Sequence, residues 1–459
     1  MTLIVSVSGI RGTIGGRPGE GLTPDDVVAF CSAYVTLLKE THAHPKVVVG
    51  RDGRRSGPMV VGLVRHTLQA HGAEVIDVGL ASTPTTAMAV PHFGAHGGII
   101  ITASHNPGEW NALKLLDARG EFIAPEQGQR IRQMAQTRAY AYAGIDQLGH
   151  VREEDALPPH IAAIAAHPLV DVPAIRSRRF RVVVDAVNSV GTAAFLALLR
   201  QLGVRDVEII NADPLGVFAH NPEPLPAHLA GLAQRVRDAR ADLGIAVDPD
   251  ADRLVLVDEQ GQFPGEEYTL VMVADYVLQR EPGPTVSNTA STSALRVITE
   301  RYGQQHYESP VGEWHVVQKM KAVKATIGGE GNGGIIDPRL HYGRDALIGT
   351  ALILSYMARS NRPLSAIRAA MPDFSMTKQK IPLQTPDQAE QLIAHLQKTL
   401  GNDYPTSDLD GLKVYFPHGW VLLRKSNTEP IIRIIAEADT EERLSQYVSH
   451  IQHTIEDLA

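Results

Sequence analysis

The chain has 459 residues, which at about 150 residues per domain corresponds to roughly three compact units, four if one is small, and excludes a single small module. Apolar residues make up 44% and charged residues 20%, the balance of a globular protein that can bury several cores, so wholesale disorder is excluded. With 43 basic against 51 acidic residues the net charge is −8; there is no long basic run, and nucleic acid is not an expected partner.

The start, Met1 to Val7, has no basic n-region and soon meets Arg11 among glycines, which does not fit a secretory signal. Apolar stretches such as 98–101 and 431–435 fall far short of the ~20 residues a membrane span needs. A cytoplasmic protein without membrane contact is expected. Cys31 is the sole cysteine, so intrachain disulfides and cysteine-rich zinc sites are impossible and any metal must use oxygen or histidine ligands.

Three stretches share one rhythm: a short β-branched run, a polar turn, a helix-like segment, a glycine, then a second short strand. They are 46–50 leading to Gly72 and 75–78, 181–185 leading to Gly203 and 207–210, and 285–288 leading to Gly303. Strands alternating with helices predict parallel βαβ units. After Met371 the rhythm changes: 413–416, 420–424 and 431–437 read as strands of a different, smaller unit. One helix closes it, capped by Asp439 with Glu442 three residues on, and carrying the stripe Leu444, Tyr447, Val448, Ile451, Ile455. Domains are expected at 1–150, 151–257, 258–368 and 369–459.

Four loops carry the residue types that chemistry needs. Thr102-Ala103-Ser104-His105-Asn106-Pro107 follows an uninterrupted apolar run that suits a strand buried on both faces. Ligand loops of open α/β sheets sit at such carboxyl ends, and Ser104 is a candidate nucleophile or phosphate carrier, or else a simple turn cap. Asp248-Pro249-Asp250-Ala251-Asp252-Arg253 places three carboxylates at alternate positions of an expected extended loop, where a hard cation, Mg²⁺ first, would offset their repulsion. A calcium EF-hand is rejected because Arg253 stands where glycine is required; a solvated acidic turn is the bland alternative.

Gly329-Glu330-Gly331-Asn332-Gly333-Gly334 matches G-x-G-x-x-G but runs into Ile335-Ile336-Asp337-Pro338 instead of opening a helix, so it is not a dinucleotide fingerprint. Its glycines admit a ligand close to the backbone, and Glu330 and Asn332 offer acceptor and donor atoms to sugar hydroxyls; a plain hairpin connection is the alternative. Arg424-Lys425-Ser426-Asn427-Thr428-Glu429-Pro430, with Arg433 beyond, offers the guanidinium forks, hydroxyls and amides a phosphate dianion accepts, although a surface turn fits equally. Arg11 is expected in a glycine-rich turn, Lys114 within reach of the Ser104 cleft, and the 51–56 segment as a solvated charged turn or a domain brace. Neither H-E-x-x-H nor a Gly-Lys phosphate loop occurs, which removes zinc proteases and P-loop enzymes.

In this order the segments 8–12, 102–107, 248–253, 329–334 and 424–430 resemble the α-D-phosphohexomutase superfamily, which includes phosphoglucosamine mutase and phosphomannomutase/phosphoglucomutase. The resemblance spans the whole chain. It implies an α/β protein of four domains around a central cleft: three similar α/β domains with mixed sheets, and a smaller α+β domain of TATA-binding-protein-like fold. Carried over residue by residue, it implies Ser104 as phosphoserine, with Asp248, Asp250, Asp252 and a phosphoserine oxygen as Mg²⁺ ligands. Arg253 would brace the phosphoserine. Glu330 and Asn332 would hold sugar hydroxyls, and Arg424, Ser426, Asn427, Thr428 and Arg433 would clamp the substrate's own phosphate. Lys114 and Arg11 match residues that assist proton transfer and charge stabilisation, and His105 lies beside the serine. Lys114 would act as general base if nearby cations lowered its pKa.

One departure stands out: many bacterial relatives have Gly-Glu-x-Ser-Gly-His, and this chain has Gly334 in place of the histidine. The glycine-rich form resembles an archaeal-type subgroup. The expected reaction interconverts hexose 6-phosphate and hexose 1-phosphate through a hexose 1,6-bisphosphate, with glucosamine 6-phosphate as first substrate and glucose or mannose phosphates as the alternative. A sugar-phosphate-binding protein without turnover and a phosphatase are the rivals. All of this requires the oxygen of Ser104 to lie close to the aspartate trio.

Overall fold

The computed structural model describes residues 2–6, 9–214, 216–383, 387–425 and 431–456. The first sheet has seven strands, β1 (Ile4–Ser6), β2 (Gly9–Thr13), β3 (Lys46–Arg51), β4 (Glu74–Leu80), β5 (Gly97–Ile101), β6 (Trp110–Leu116) and β7 (Val151–Glu153), in the order β1-β2-β6-β5-β3-β4-β7. The second has β8 (Arg181–Asp185), β9 (Asp206–Ile210), β10 (Leu243–Val247) and β11 (Leu254–Val257), ordered β11-β10-β8-β9. The third has β12 (Thr285–Asn288), β13 (His306–Ser309), β14 (Ile327–Glu330) and β15 (Gly334–Ile336), ordered β13-β12-β14-β15.

One plan therefore repeats three times. In each sheet the first strand of the repeat is flanked by two parallel partners, and a fourth strand returns antiparallel beside the third. The sheets are mixed, as expected. The helix after each first strand carries an apolar face and stops at a glycine. In Gly191–Leu202, for example, Ala194, Phe195, Leu198, Leu199 and Leu202 are buried. Gly72, Gly203 and Gly303 follow these helices with φ of +81°, +85° and +69°, a region glycine enters without steric cost.

Two expectations change. Arg11 lies on β2, paired with Ala112 of β6, and not in a turn, because the 9–13 backbone finds a ladder partner. The closing helix is Glu441–Glu456, and its cap is Thr440, not Asp439: the Thr440 hydroxyl accepts from Arg443 N at 3.3 Å, while Asp439 pairs with the Arg443 guanidinium. The second and third sheets share one core, and each also keeps a smaller cluster of its own. The shared cluster runs from Ile161 to Met371, with the helix Glu266–Leu278, buried from Glu267 onward, inside it.

The last sheet is antiparallel throughout: β16 (Ser375–Pro382), β17 (Thr406–Ser407), β18 (Leu412–Phe416), β19 (Gly419–Lys425) and β20 (Ile431–Ala438), ordered β16-β20-β19-β18-β17. Along β20, Ile432, Ile434 and Ala436 face the core while Arg433 is exposed, the period of two expected of a half-buried strand. Helices Asp387–Leu400 and Glu441–Glu456 supply residues to the same core. Among the described residues no helix is long and apolar enough to cross a membrane.

Candidate active site

The chemistry-bearing loops follow β5, β10 and β14, which occupy the same place in the three repeats. β5 is buried along its whole length, as its uninterrupted apolar run predicts. Beyond it Ser104 takes φ +51°, a left-handed conformation that a residue with a Cβ holds only when its surroundings enforce it. Here they do. Ser104 N donates to Thr102 Oγ1 at 2.9 Å, and Thr102 Oγ1 donates to Asp52 Oδ2 at 2.6 Å. The buried guanidinium of Arg54 pairs with Asp52 at 3.0 Å and donates to the carbonyls of Pro107, Trp110, Asn106 and Ser104. The 51–56 segment is thus a brace and not a solvated turn. Ser189 extends it to the next domain, its hydroxyl accepting from Gly53 N at 3.0 Å and donating to Pro249 O at 2.6 Å.

Asp248, Asp250 and Asp252 converge, but through a turn and not an extended loop: Ala251 N donates to Asp248 O at 3.0 Å and Ala251 takes φ +53°. One oxygen of each carboxylate lies within 4.8 Å of the others, and all three side chains are fully buried. Ser104 Oγ donates to Asp248 Oδ2 at 2.6 Å. Asp248 Oδ1 accepts from the backbone N–H groups of Asp252 and Arg253, each at 3.2 Å. Asp250 Oδ2 accepts from Lys114 Nζ at 2.7 Å and Thr83 Oγ1 at 2.6 Å, and Asp252 Oδ2 accepts from Arg344 Nη2 at 2.7 Å. Asp250 Oδ1 and Asp252 Oδ1 are buried without a hydrogen-bond partner. Buried carboxylate oxygens left unpaired beside one another suit a hard divalent cation, so the residues present fit a metal site.

Burial, followed by the charges of Asp250 and Asp252, pushes the Asp248 carboxyl well above the usual range. Burial also opposes ionisation of Asp250, but the charge of Lys114 together with hydrogen bonds from Asp248, Lys114 and Thr83 outweighs it and the net shift is downward. Lys114 moves the other way from the expected direction. Burial disfavours its charge, yet its nearest neighbours are Asp250 and Asp252, and its pKa rises; in this arrangement it is a cation and not a free base. His105 lies 3.3 Å from Ser104 Oγ through Nδ1; burial and the neighbouring Arg253, Arg11 and Arg344 lower its pKa to about 2, which keeps it neutral. Arg11 Nη1 donates to Asn106 Oδ1 at 2.8 Å. Arg253 Nε lies 4.0 Å from Asp248 and 3.9 Å from Asp252 and has no hydrogen-bond partner.

The third loop is a hairpin in which Glu330 pairs with Gly334 across the turn. Glu330 Oε1 accepts from Asn288 Nδ2 at 2.9 Å and Gly312 N at 3.1 Å, and Oε2 accepts from Arg344 Nη1 at 2.8 Å. Asn332 Oδ1 accepts from Gly334 N at 3.2 Å, and Leu254 N donates to Gly333 O at 3.0 Å, which seats the hairpin against the aspartate loop. The site residues that sequence reasoning missed are Arg54, Thr83, Glu313 and Arg344. The contacts of Arg344 lie 92, 31 and 14 residues away along the chain, so no local pattern announces it.

A second group stands on the last sheet. Arg424 is opposite Arg433, and Arg433 is opposite Lys380, so three cations share one register across β19, β20 and β16. Like charges in direct cross-strand positions repel, an arrangement that an anion relieves. Arg424 also lies 3.0 Å from Asp410. Ser426, Asn427 and Thr428 lie outside the described residues. No hydrogen bond or ion pair between described residues links Arg424 or Arg433 to the Ser104 group.

Fold and site together place a serine beside a buried acidic cluster where loops of adjoining α/β units meet, and the comparisons give the class of protein. Models of the phosphoglucomutase/phosphomannomutase family match throughout: α/β/α domain I over residues 3–141, domain II over 158–261, domain III over 265–374 and the C-terminal domain over 377–453. The chain is 40% identical over 443 residues to the phosphoglucomutase/phosphomannomutase of Thermococcus kodakarensis, covering 95% of this chain and 96% of that one. It is 35% identical over 462 residues to the "Probable phosphoglucosamine mutase" of Methanopyrus kandleri, covering 98% of each. A crystal structure of a phosphoglucomutase/phosphomannomutase family protein from Burkholderia thailandensis superposes with a TM-score of 0.86 at 27% identity, covering 99% of this chain and 97% of that one. The chain belongs to the phosphoglucomutase/phosphomannomutase family and is a phosphohexomutase.

Proposed function

We propose that the protein interconverts hexose 6-phosphate and hexose 1-phosphate by way of a phosphorylated Ser104. The observation that carries this reading is the 2.6 Å contact of Ser104 Oγ with Asp248 inside the buried aspartate cluster. Phosphoryl transfer needs mainly positioning and charge neutralisation. In the first half-reaction the bond from Ser104 Oγ to phosphorus breaks, a bond from phosphorus to the oxygen of the free sugar hydroxyl forms, and the proton that hydroxyl gives up is matched by one taken up at the freed Ser104 Oγ. The resulting hexose 1,6-bisphosphate turns over and returns its other phosphoryl group to Ser104.

Asp248, Asp250, Asp252 and an oxygen of the phosphoserine would hold Mg²⁺, which when bound supplies positive charge against a phosphoserine of about −1.5 to −2. Arg253 and Arg11 would offset the charge of that phosphoryl group, and Lys114 stabilises charge at the carboxylates. His105, held neutral beside Oγ, is available as a hydrogen-bond partner. Glu330 and Asn332 would hold sugar hydroxyls, and Arg424 and Arg433, with Ser426, Asn427 and Thr428 of the adjoining loop, would grip the phosphate not being transferred.

Glucosamine 6-phosphate is the substrate the sequence resemblance favours; glucose and mannose phosphates form the second reading, favoured by the 40% identity to a phosphoglucomutase/phosphomannomutase. Assaying the purified chain on all three, with a catalytic amount of the bisphosphate, separates the two. Ser104→Ala should abolish isomerisation; full activity in that variant overturns the proposed carrier. Release of inorganic phosphate at the rate of isomerisation would favour a phosphatase instead.

A further inference from the structure

Gly334 is a glycine for space and not for backbone freedom. Its φ lies outside the left-handed region, yet a Cβ at this position would stand 2.4 Å from Cδ and 3.0 Å from Cγ of Arg344. The stem of Arg344 runs through the volume that a side chain at 334 would fill. At its end the buried guanidinium divides its N–H groups among three segments: Nη2 to Asp252 Oδ2 at 2.7 Å, Nη1 to Glu330 Oε2 at 2.8 Å and Nε to Glu313 Oε2 at 2.9 Å. Only a planar fork presents three fixed donors in this way; a lysine ammonium has one nitrogen and no fixed plane.

Two of the three carboxylates belong to different halves of the proposed chemistry. Asp252 keeps Oδ1 unpaired while Arg344 occupies Oδ2. Glu330, fixed on its other oxygen by Asn288 and Gly312 N, owes its remaining orientation to Arg344. Burial pushes the Glu330 carboxyl up, and Arg344, first among the groups that oppose it, acts with Asn288, Arg253 and Gly312 N to hold it below its ordinary value.

We propose that Arg344 is a positioning residue that joins the hairpin to the aspartate loop, setting Glu330 toward the sugar and leaving Asp252 Oδ1 free, and that Gly334 is the gap that admits it. A side chain at 334 and the guanidinium of Arg344 are then mutually exclusive occupants of one space. This rests on the mutase reading above.

The test is a double-variant cycle of Gly334→Ala, Arg344→Ala and the two combined, with Arg344→Lys as the conservative change, all assayed on the hexose phosphate that the wild type isomerises. Loss of a hydrogen bond to a charged group corresponds to about a tenfold or greater change, so Gly334→Ala and Arg344→Ala should each raise KM by about tenfold or more. The combined variant should be no worse than Arg344→Ala alone, because the alanine then has room. Arg344→Lys should not recover KM, whereas added guanidinium ion should lower the KM of Arg344→Ala and not that of the wild type. A wild-type KM in Gly334→Ala, or effects that multiply in the combined variant, would overturn the role. If Arg344→Ala fails to fold, Arg344→Ser, which likewise lacks the Cγ and Cδ that meet a side chain at 334, replaces it in the same cycle. A wild type that isomerises no hexose phosphate would overturn the mutase reading and this inference together, whereas an active wild type with an unaffected Gly334→Ala overturns this inference alone.

Discussion

Lys114 lies on β6 opposite Ile100, with its ammonium 2.7 Å from Asp250 and 3.5 Å from Asp252 and only 3% of its side chain exposed. Lys114→Met keeps most of the stem and removes the charge. Removing one partner of a buried ion pair costs about 3–5 kcal/mol. The lower end applies here, because Asp250 keeps Thr83 and Asp252 keeps Arg344. For a domain of this size each kcal/mol moves the melting temperature by about 2–4 °C, so the metal-free variant should melt about 6–12 °C below wild type. Magnesium should narrow the gap, since a divalent ion among the same carboxylates replaces the missing charge. The assay is thermal unfolding of both proteins in chelator and across a magnesium titration. A difference under about 2 °C in chelator, or a gap that magnesium leaves unchanged, would refute the assignment of Lys114 as counter-ion to the aspartates.

Burial raises the carboxyl of Glu267 from 4.5 to about 8, with Lys378 opposing. Over that interval the folded chain holds a proton that the unfolded chain has lost, so this contribution to stability is full below about pH 4.5 and gone by about pH 8, falling by up to about 1.4 kcal/mol per unit. Urea midpoints against pH should show the decline, and Glu267→Gln should flatten it. Arg433→Ala should raise KM for both hexose phosphates about tenfold or more with a smaller effect on kcat, and Lys380→Ala should act in the same direction; an unchanged KM would remove the three-cation register from the phosphate site. Cys31 is fully buried and its thiol is pushed well above its ordinary pKa, so a thiol reagent should label the chain only after denaturation.

The repeat was legible because local rules write it three times: β-branched strands, one-sided helices and a glycine after each first helix. The helix Glu266–Leu278 was not, since it is buried on every side and so lacks the polar face that gives a helix its period. β16 escaped for the opposite reason: Met376-Thr377-Lys378-Gln379-Lys380-Ile381 is too polar to read as a strand until β20 pairs with it. At the site, Ser104 and the three aspartates showed because each loop concentrates unusual residue types in a few positions. Arg54 and Arg344 did not. An arginine in a short polar segment reads as solvated, and only the fold reveals that loop carbonyls converge on one and carboxylates on the other.

The charges at the centre constrain how it works. Five carboxylates, Asp248, Asp250, Asp252, Glu313 and Glu330, meet four cations, Lys114, Arg11, Arg253 and Arg344. The set is close to balance before any ion or phosphoryl group arrives. Adding a divalent cation alone drives it positive, and phosphorylating Ser104 alone, at about −1.5 to −2, drives it negative; together they nearly cancel. Buried charge without compensation is expensive, so each addition should favour the other. The phosphorylated chain is accordingly expected to bind Mn²⁺, read by electron paramagnetic resonance as a stand-in for Mg²⁺, more tightly than the same chain after dephosphorylation. By reciprocity the metal should protect the phosphoserine against loss. Equal affinities in the two forms would show that the arginines and Lys114 absorb the charge change unaided, and that the ion and the phosphoryl group are held independently.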